Sequence, residues 1–327
     1  MVLRDSDIVS YAPASDAALA PSSGFGAEFA IRRADCGGLS AANRVIVVNT
    51  WESLGGGKMS KAKVLVIGSN ATEIEVHGGK GKTGNYLNET VVPIMAVRAA
   101  EYEVVLATPT GGKPHIDEVS DSPVHFNNDE AAYAQAKAFW ANDGAMNNVR
   151  TLRSVIDEGL SNYAAVFVPG GQAPVVDLMQ DADVGEILRY FHAHGKPTAL
   201  LCHGPIATLA TLPKAREFRT ALIAGDTAKA KELGQGWQYA GYKMTIFSAS
   251  EEKMIEDKIL HAKMFFHMPD ALEAAGAEVS VSKVDFEPHL VEDRELMTGQ
   301  NPRSDHIIGA SLVRALERAS FHGARAA

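Results

Sequence analysis

The chain has 327 residues, 46% of them apolar and 22% charged, with 40 acidic against 31 basic side chains and a formal net charge of −9. That size and apolar content can fill one large or two ordinary hydrophobic cores. The acidic balance argues against a nucleic-acid footprint, and no apolar run approaches the ~18 residues of a membrane span.

Residues 1–58 are rich in Ala, Ser, Gly and Pro, show little sustained periodicity and read as a flexible extension. They lack the basic and apolar blocks of a secretory signal. A second methionine, Met59, precedes a lysine-flanked strand in MSKAKVLVIG, which makes Met59 a candidate initiator and residues 1–58 a candidate non-native leader. Residues 59–327 are then expected to form a single α/β domain. The two cysteines, Cys36 and Cys202, fall in that leader and in an apolar turn, so a structural disulfide is not expected and a reduced, cytoplasmic setting fits.

From Met59 onward, apolar strand-like runs at 63–68, 103–107, 164–168, 198–201 and 243–247 alternate with helical patterns at 87–100, 149–158, 184–194 and 205–212. Such alternation predicts a parallel sheet flanked by helices, with ligands bound beyond the carboxyl ends of the strands. Residues 127–147 read as a short amphipathic helix inserted between sheet elements, a cap over the site. A further helix is expected at 227–233, followed by the Gly-rich link GQGWQYAG, then an antiparallel pair formed by 278–282 and 289–298, and a closing helix at 305–319.

The chemistry concentrates in TALLCHGPIATLATL, residues 198–212, where a buried strand stops, Cys202-His203-Gly204 follows, and Pro205 opens a helix. A cysteine at a helix N-terminus meets unpaired N–H groups that favour thiolate. Taken alone, the stretch leans toward catalysis, the alternative being that Cys202 is one more small buried hydrophobe, as most free cysteines are. A nucleophile also needs an adjacent acid or base and donors for an oxyanion. Gly170 and Gly171, after the AAVFV strand, can turn N–H groups into the crevice, or form an ordinary turn. Glu89 falls in the first turn of its helix and acts chemically only if it points back toward the thiol. In Ser250-Glu251-Glu252 an acid could orient His203; the other reading is a helix start capped by Ser250.

Together, LLCHGP after a PGG turn, with a glutamate at the end of KTGNYLNE, resembles the ThiJ/PfpI superfamily, a flavodoxin-like, glutamine-amidotransferase-like fold, from about residue 63 to about 316. The long form, the insertion before AAVFVPGG and the ending DRELMTGQNPRS resemble its heat-shock chaperone and glyoxalase III branch. The resemblance implies conversion of methylglyoxal, a 2-oxoaldehyde, to lactate without glutathione and with no external cofactor, with deglycase and holdase activities also attributed to the branch. It implies a homodimer, Cys202 as nucleophile with His203 its partner, Glu89 as the acid beside the thiol, and Glu252, five residues after Phe247, as the triad acid. Gly171 and the backbone of His203 match the oxyanion donors, with Gly170 and Gln172 beside them.

Two positions depart from the pattern. Arg98 stands where members with a metal site carry a histidine, although Glu103 keeps the accompanying acid, so no metal is expected. Gln172 stands where the glyoxalase branch commonly has histidine. His261 and His267 read as surface or core residues. A stress-responsive holdase with a redox-sensing thiol, or a peptidase or amidase of the same superfamily, are the alternative functions. The insertion at 127–147 speaks against a compact PfpI-type peptidase.

Overall fold

The computed structural model describes residues 62–326, with side chains described through residue 319. Cys36 and the expected leader lie outside these residues.

In chain order the elements are β1 (Lys63–Ile67), β2 (Glu73–Val76), β3 (Gly79–Lys82), α1 (Leu87–Ala99), β4 (Glu103–Thr108), α2 (Glu130–Asn142), α3 (Gly144–Asn147), β5 (Arg150–Thr151), α4 (Leu152–Glu158) and β6 (Tyr163–Val168). They continue as α5 (Ala182–Ala193), β7 (Thr198–Leu201), α6 (Ala215–Ile223), α7 (Thr227–Leu233), β8 (Lys243–Met244), α8 (Ala249–Ile255), α9 (Met268–Ala275), β9 (Glu278–Val279), β10 (Leu290–Asp293), β11 (Leu296–Gly299) and α10 (Asp305–Ala326). Seven strands form one sheet in the order β10-β11-β7-β6-β1-β4-β5, and every neighbouring pair is parallel except β10 with β11.

The central strands are continuous apolar runs because helices cover both faces. Val64 to Ile67 and all of Thr198–Leu201 are buried. On one side α10 packs along α1, and a Cβ on Gly309 would approach Pro93 Cα to 3.1 Å, so glycine lets the two helices close up. The site strands β6 and β7 therefore end side by side at the carboxyl edge, held from both faces.

Four expectations change. The strand expected over 243–247 stops at Met244 and pairs with β9 in a separate two-stranded parallel sheet. Beyond it, the Thr245 N–H is taken by Thr298 Oγ1 and the Phe247 N–H by the Cys202 carbonyl, so the chain leaves its ladder and runs into the site. The expected antiparallel pairing of 278–282 with 289–298 is replaced by a hairpin inside the second segment, β10 with β11, turned at Arg294 in the left-handed region. Pro205 opens a 3₁₀ helix, Gly204–Thr211, not an α-helix; the Thr208 and Thr211 hydroxyls donate to carbonyls three residues back, a bonding pattern that supports the tighter turn. The helix expected at 149–158 begins only at Leu152, capped by Thr151, because Arg150 and Thr151 first form the edge strand β5.

The β2–β3 hairpin has no strand signature in the sequence of its second strand, since Gly79–Lys82, GKGK, carries no apolar alternation. Within the inserted segment, α2 starts on the cap Asp129 and packs along α1, tied there by Arg98 to Asp143 at 3.1 Å. From the same region the 3₁₀ turn Pro123–Phe126 brings His125 edge-on to Tyr86, whose own N–H donates to the Gly170 carbonyl. No helix among the described residues is long and apolar enough to cross a membrane.

Candidate active site

Strand β7 is buried to its last residue and delivers Cys202 with φ +58, a left-handed backbone that costs a non-glycine residue about 1–2 kcal/mol. The surroundings hold it there: the Cys202 N–H donates to the Gly299 carbonyl at 2.8 Å, and its carbonyl accepts from Phe247 N at 3.0 Å. A Cβ on Gly204 would meet the Val168 carbonyl at 2.4 Å, so only glycine lets the turn pass so close to β6.

A chain of contacts runs from the thiol. Cys202 Sγ lies 3.3 Å from His203 Nδ1, and His203 Nε2 lies 2.7 Å from Glu252 Oε2. The second oxygen of Glu252 accepts from Gln172 Nε2 at 2.5 Å. The His203 ring packs on Phe247 with centroids 4.7 Å apart. Of the two adjacent glutamates, Glu252 is the one that reaches His203. Glu251 instead accepts from the backbone of Ser248 and Phe286 and from the side chains of Gln300 and Asn301. The cap of α8 is Ser248, not Ser250: its hydroxyl accepts from Glu251 N while Glu251 answers the Ser248 N–H, a reciprocal capping box. Ser250 donates to Asp285.

Glu89 closes the other side of the thiol. It is fully buried, and neither carboxyl oxygen has a well-formed hydrogen bond. Burial pushes its pKa up to about 8; the neighbouring Cys202 thiol and Gly170 N–H favour the carboxylate and offset part of that rise, and Asp305 and Asp117 add to it. A Cβ on Gly170 would stand 2.4 Å from Glu89 Oε2 and 2.6 Å from Cys202 Cβ, so a bare glycine is what lets carboxyl and thiol share one space. Gly171, at φ +84, has the Gly84 carbonyl where its Cβ would be.

The thiol is raised well above its ordinary value, first by burial, then by the Glu89 charge and hydrogen bond and the Glu251 charge, with the Gly171 N–H pulling the other way. The turn therefore does not by itself make Cys202 a thiolate. Burial therefore favours the protonated form of both Glu89 and Cys202, and a charge on the carboxyl makes a charge on the sulfur harder to form.

Cys202, His203, Glu89, Glu252, Gly170, Gly171 and Gln172 thus come together at the ends of β6 and β7. The Gln172 amide is directed at Glu252. Asn88 and Asp117 lie near Glu89, and Gln300 and Asn301 reach Glu251; Asn88 falls within KTGNYLNE and Gln300 and Asn301 within DRELMTGQNPRS, whereas Asp117 carried no local signal. Arg98 is paired with Asp143, and Glu103 is exposed, so these residues do not fit a metal pair. Among the described residues no group of three or more His, Cys, Asp or Glu side chains could hold a metal ion. His261 is exposed and bonded to the Asp257 carbonyl, while His267 lies 3.2 Å from Glu256. A groove of about 550 Å³ between the starts of α5 and α6 is lined by none of the site side chains.

Known proteins resemble this chain over most of its length. A protein/nucleic acid deglycase HchA of Escherichia coli (strain K12 / DH10B) is 26% identical over 259 residues, covering 76% of this chain and 79% of that protein. One of Staphylococcus aureus (strain Newman) is 27% identical over 268 residues, covering 80% and 82%. Among solved structures, a 24 kDa Rapid Encystment Protein of Francisella tularensis superposes with a TM-score of 0.59 at 22% identity, covering 78% of this chain and 99% of that one. A glyoxalase III of Candida albicans superposes with a TM-score of 0.54 at 21% identity, covering 78% and 97%, which establishes the shared fold. The DJ-1/PfpI family profile matches residues 84–314, a span holding all seven of these residues, and on that match the chain belongs to the DJ-1/PfpI family.

Proposed function

We propose that the protein is a glutathione-independent glyoxalase that converts methylglyoxal to lactate through Cys202. The observation that carries this reading is Glu89: a buried carboxyl whose oxygens make no well-formed hydrogen bond, beside a thiol on a strained turn, with a pKa near 8 that lets it hold and release a proton at neutral pH.

The steps balance without an added cofactor. The Cys202 sulfur bonds to the aldehyde carbon, its proton passes to His203 Nδ1, and the carbonyl electron pair moves onto oxygen, which the Gly171 and His203 N–H groups receive and His203 then protonates. Glu89 removes the hydrogen of that carbon; the freed pair forms the carbon–carbon double bond of an enediolate, with charge on the second oxygen. Glu89 returns the proton to the second carbon while the first hydroxyl passes its own, by way of His203, to the charged second oxygen, leaving a lactoyl thioester. Water, losing a proton to His203, adds to the thioester, the carbon–sulfur bond breaks, and the thiol is restored. One carbon is oxidised and its neighbour reduced, so methylglyoxal and water give lactate.

The test is lactate formation without glutathione or added metal. Cys202→Ser and Glu89→Gln are expected to abolish it; absence of turnover in the wild type rejects the reading. A second reading, removal of early glycation adducts by the same chemistry, is favoured by the name deglycase carried by the curated relatives. It requires lactate release from a preformed methylglyoxal–cysteine adduct faster than the adduct frees methylglyoxal by itself.

A further inference from the structure

Gln172 follows the Gly170-Gly171 turn and is 6% exposed. Its amide nitrogen donates to Glu252 Oε1 at 2.5 Å, while Oε2 of the same carboxyl receives His203 Nε2 at 2.7 Å. Both oxygens of Glu252 are therefore engaged, in a space where hydrogen bonds are strong and an unmatched polar group is costly. An amide oxygen turned toward a carboxylate would be repelled, so the amide can lie only one way. With both Glu252 oxygens accepting, the hydrogen of His203 is placed on Nε2, and Nδ1 turns its lone pair toward Cys202 Sγ, 3.3 Å away. The other charged groups facing this chain are Glu89 on α1, Asp117 in the loop after β4 and Glu251 on α8.

We propose that Gln172 is a positioning residue: acting through Glu252, it fixes the tautomer and direction of His203, and thereby the base that takes the Cys202 proton. The proposal rests on the Cys202 reading above, but its test requires no turnover.

The test is the ¹⁵N shifts of the His203 ring, with the pH–rate profile of Cys202 alkylation by iodoacetamide, in wild type, Gln172→Met and Gln172→Glu. In the wild type Nε2 is expected to carry the hydrogen and Nδ1 to be bare. Gln172→Met keeps the length but loses the donor; the His203 shifts should average between tautomers and alkylation should slow about tenfold, the size of a buried hydrogen bond to a charged group. Gln172→Glu offers a donor only while its new carboxyl is protonated, so it should fall further behind wild type as pH rises. A bare Nε2 in the wild type overturns the proposal before any variant is made, and so do unchanged shifts and alkylation in Gln172→Met. The expected shifts in a wild type that forms no lactate reject the glyoxalase reading alone.

Discussion

His203 and Glu252 stand 49 residues apart in sequence and meet at 2.7 Å, with 3% and 0% of their side chains open to solvent. A pair so enclosed has no water to stand in for a missing partner. Glu252→Gln keeps the shape but removes the carboxylate that steadies His203 when it takes a proton. Turnover of methylglyoxal is expected to fall by roughly 10²–10⁴, the range of positioned acid–base help, with KM little changed. Steady-state kinetics checks this, and a variant within tenfold of wild type removes Glu252 from the machinery.

Glu89 ties stability to pH. Its pKa rises from 4.5 in the unfolded chain to about 8 in the fold. Between those values the unfolded chain releases a proton that the folded chain keeps, so the fold loses stability as pH rises through that window and is level on either side. Glu89→Gln removes the loss and is expected to be more stable than wild type by as much as about 3 kcal/mol at pH 7. The advantage should vanish below about pH 4.5, where both states hold the proton. Thermal midpoints of the two proteins across pH decide it: a variant less stable than wild type at pH 8 contradicts the buried-carboxyl account.

The same substitution should move Cys202 in the opposite sense to catalysis. After burial, the charge and hydrogen bond of Glu89 are the largest causes of the raised thiol. Glu89→Gln is therefore expected to bring alkylation by iodoacetamide to lower pH while lactate formation is lost. A thiol that alkylates later in the variant would show that Glu89 helps to form the thiolate in the resting protein.

Gly170 sets the spacing of thiol and carboxyl. An added Cβ would also meet the Leu201 carbonyl at 2.7 Å, and backbone cannot swing aside as a flexible side chain does. Gly170→Ala should cost about 1–3 kcal/mol, as overpacking does, and lower turnover by pushing Glu89 from the sulfur. Urea unfolding and kinetics measure the two effects, and normal turnover in the variant would show that the spacing is not critical.

The sheet was legible because its central strands are uninterrupted apolar runs, and helices over both faces are what such runs require. KVLVIG, AAVFV and TALL read as strands in isolation. What failed was pairing: whether residues 243–247 continue a ladder depends on Thr298 and on the Cys202 carbonyl, which are remote in sequence. The site was legible where chemistry is local, as in CHGP and PGG. It was not legible in the polar shell: nothing beside Asp117 marks it as a neighbour of Glu89, and nothing beside Gln172 marks the carboxyl it meets 80 residues on.

Glu251 and Glu252 sharpen that point, because adjacent identical residues are given different work by one turn of helix. Glu251 accepts from Ser248 N, Phe286 N, Gln300 Nε2 and Asn301 Nδ2, joining the start of α8 to the segment after β11 and the loop before β10. Removing it leaves those buried donors without an acceptor, each worth about 1–3 kcal/mol. Glu251→Ala is therefore expected to lose at least ~3 kcal/mol of stability, while turnover per folded molecule falls less than tenfold. Glu252→Gln should show the reverse, a larger loss of turnover than of stability. Urea midpoints and active-site-normalised kinetics for the two proteins test the division directly. If Glu251→Ala were the more damaging to turnover in folded protein, the carboxyl supporting His203 would have to be reassigned.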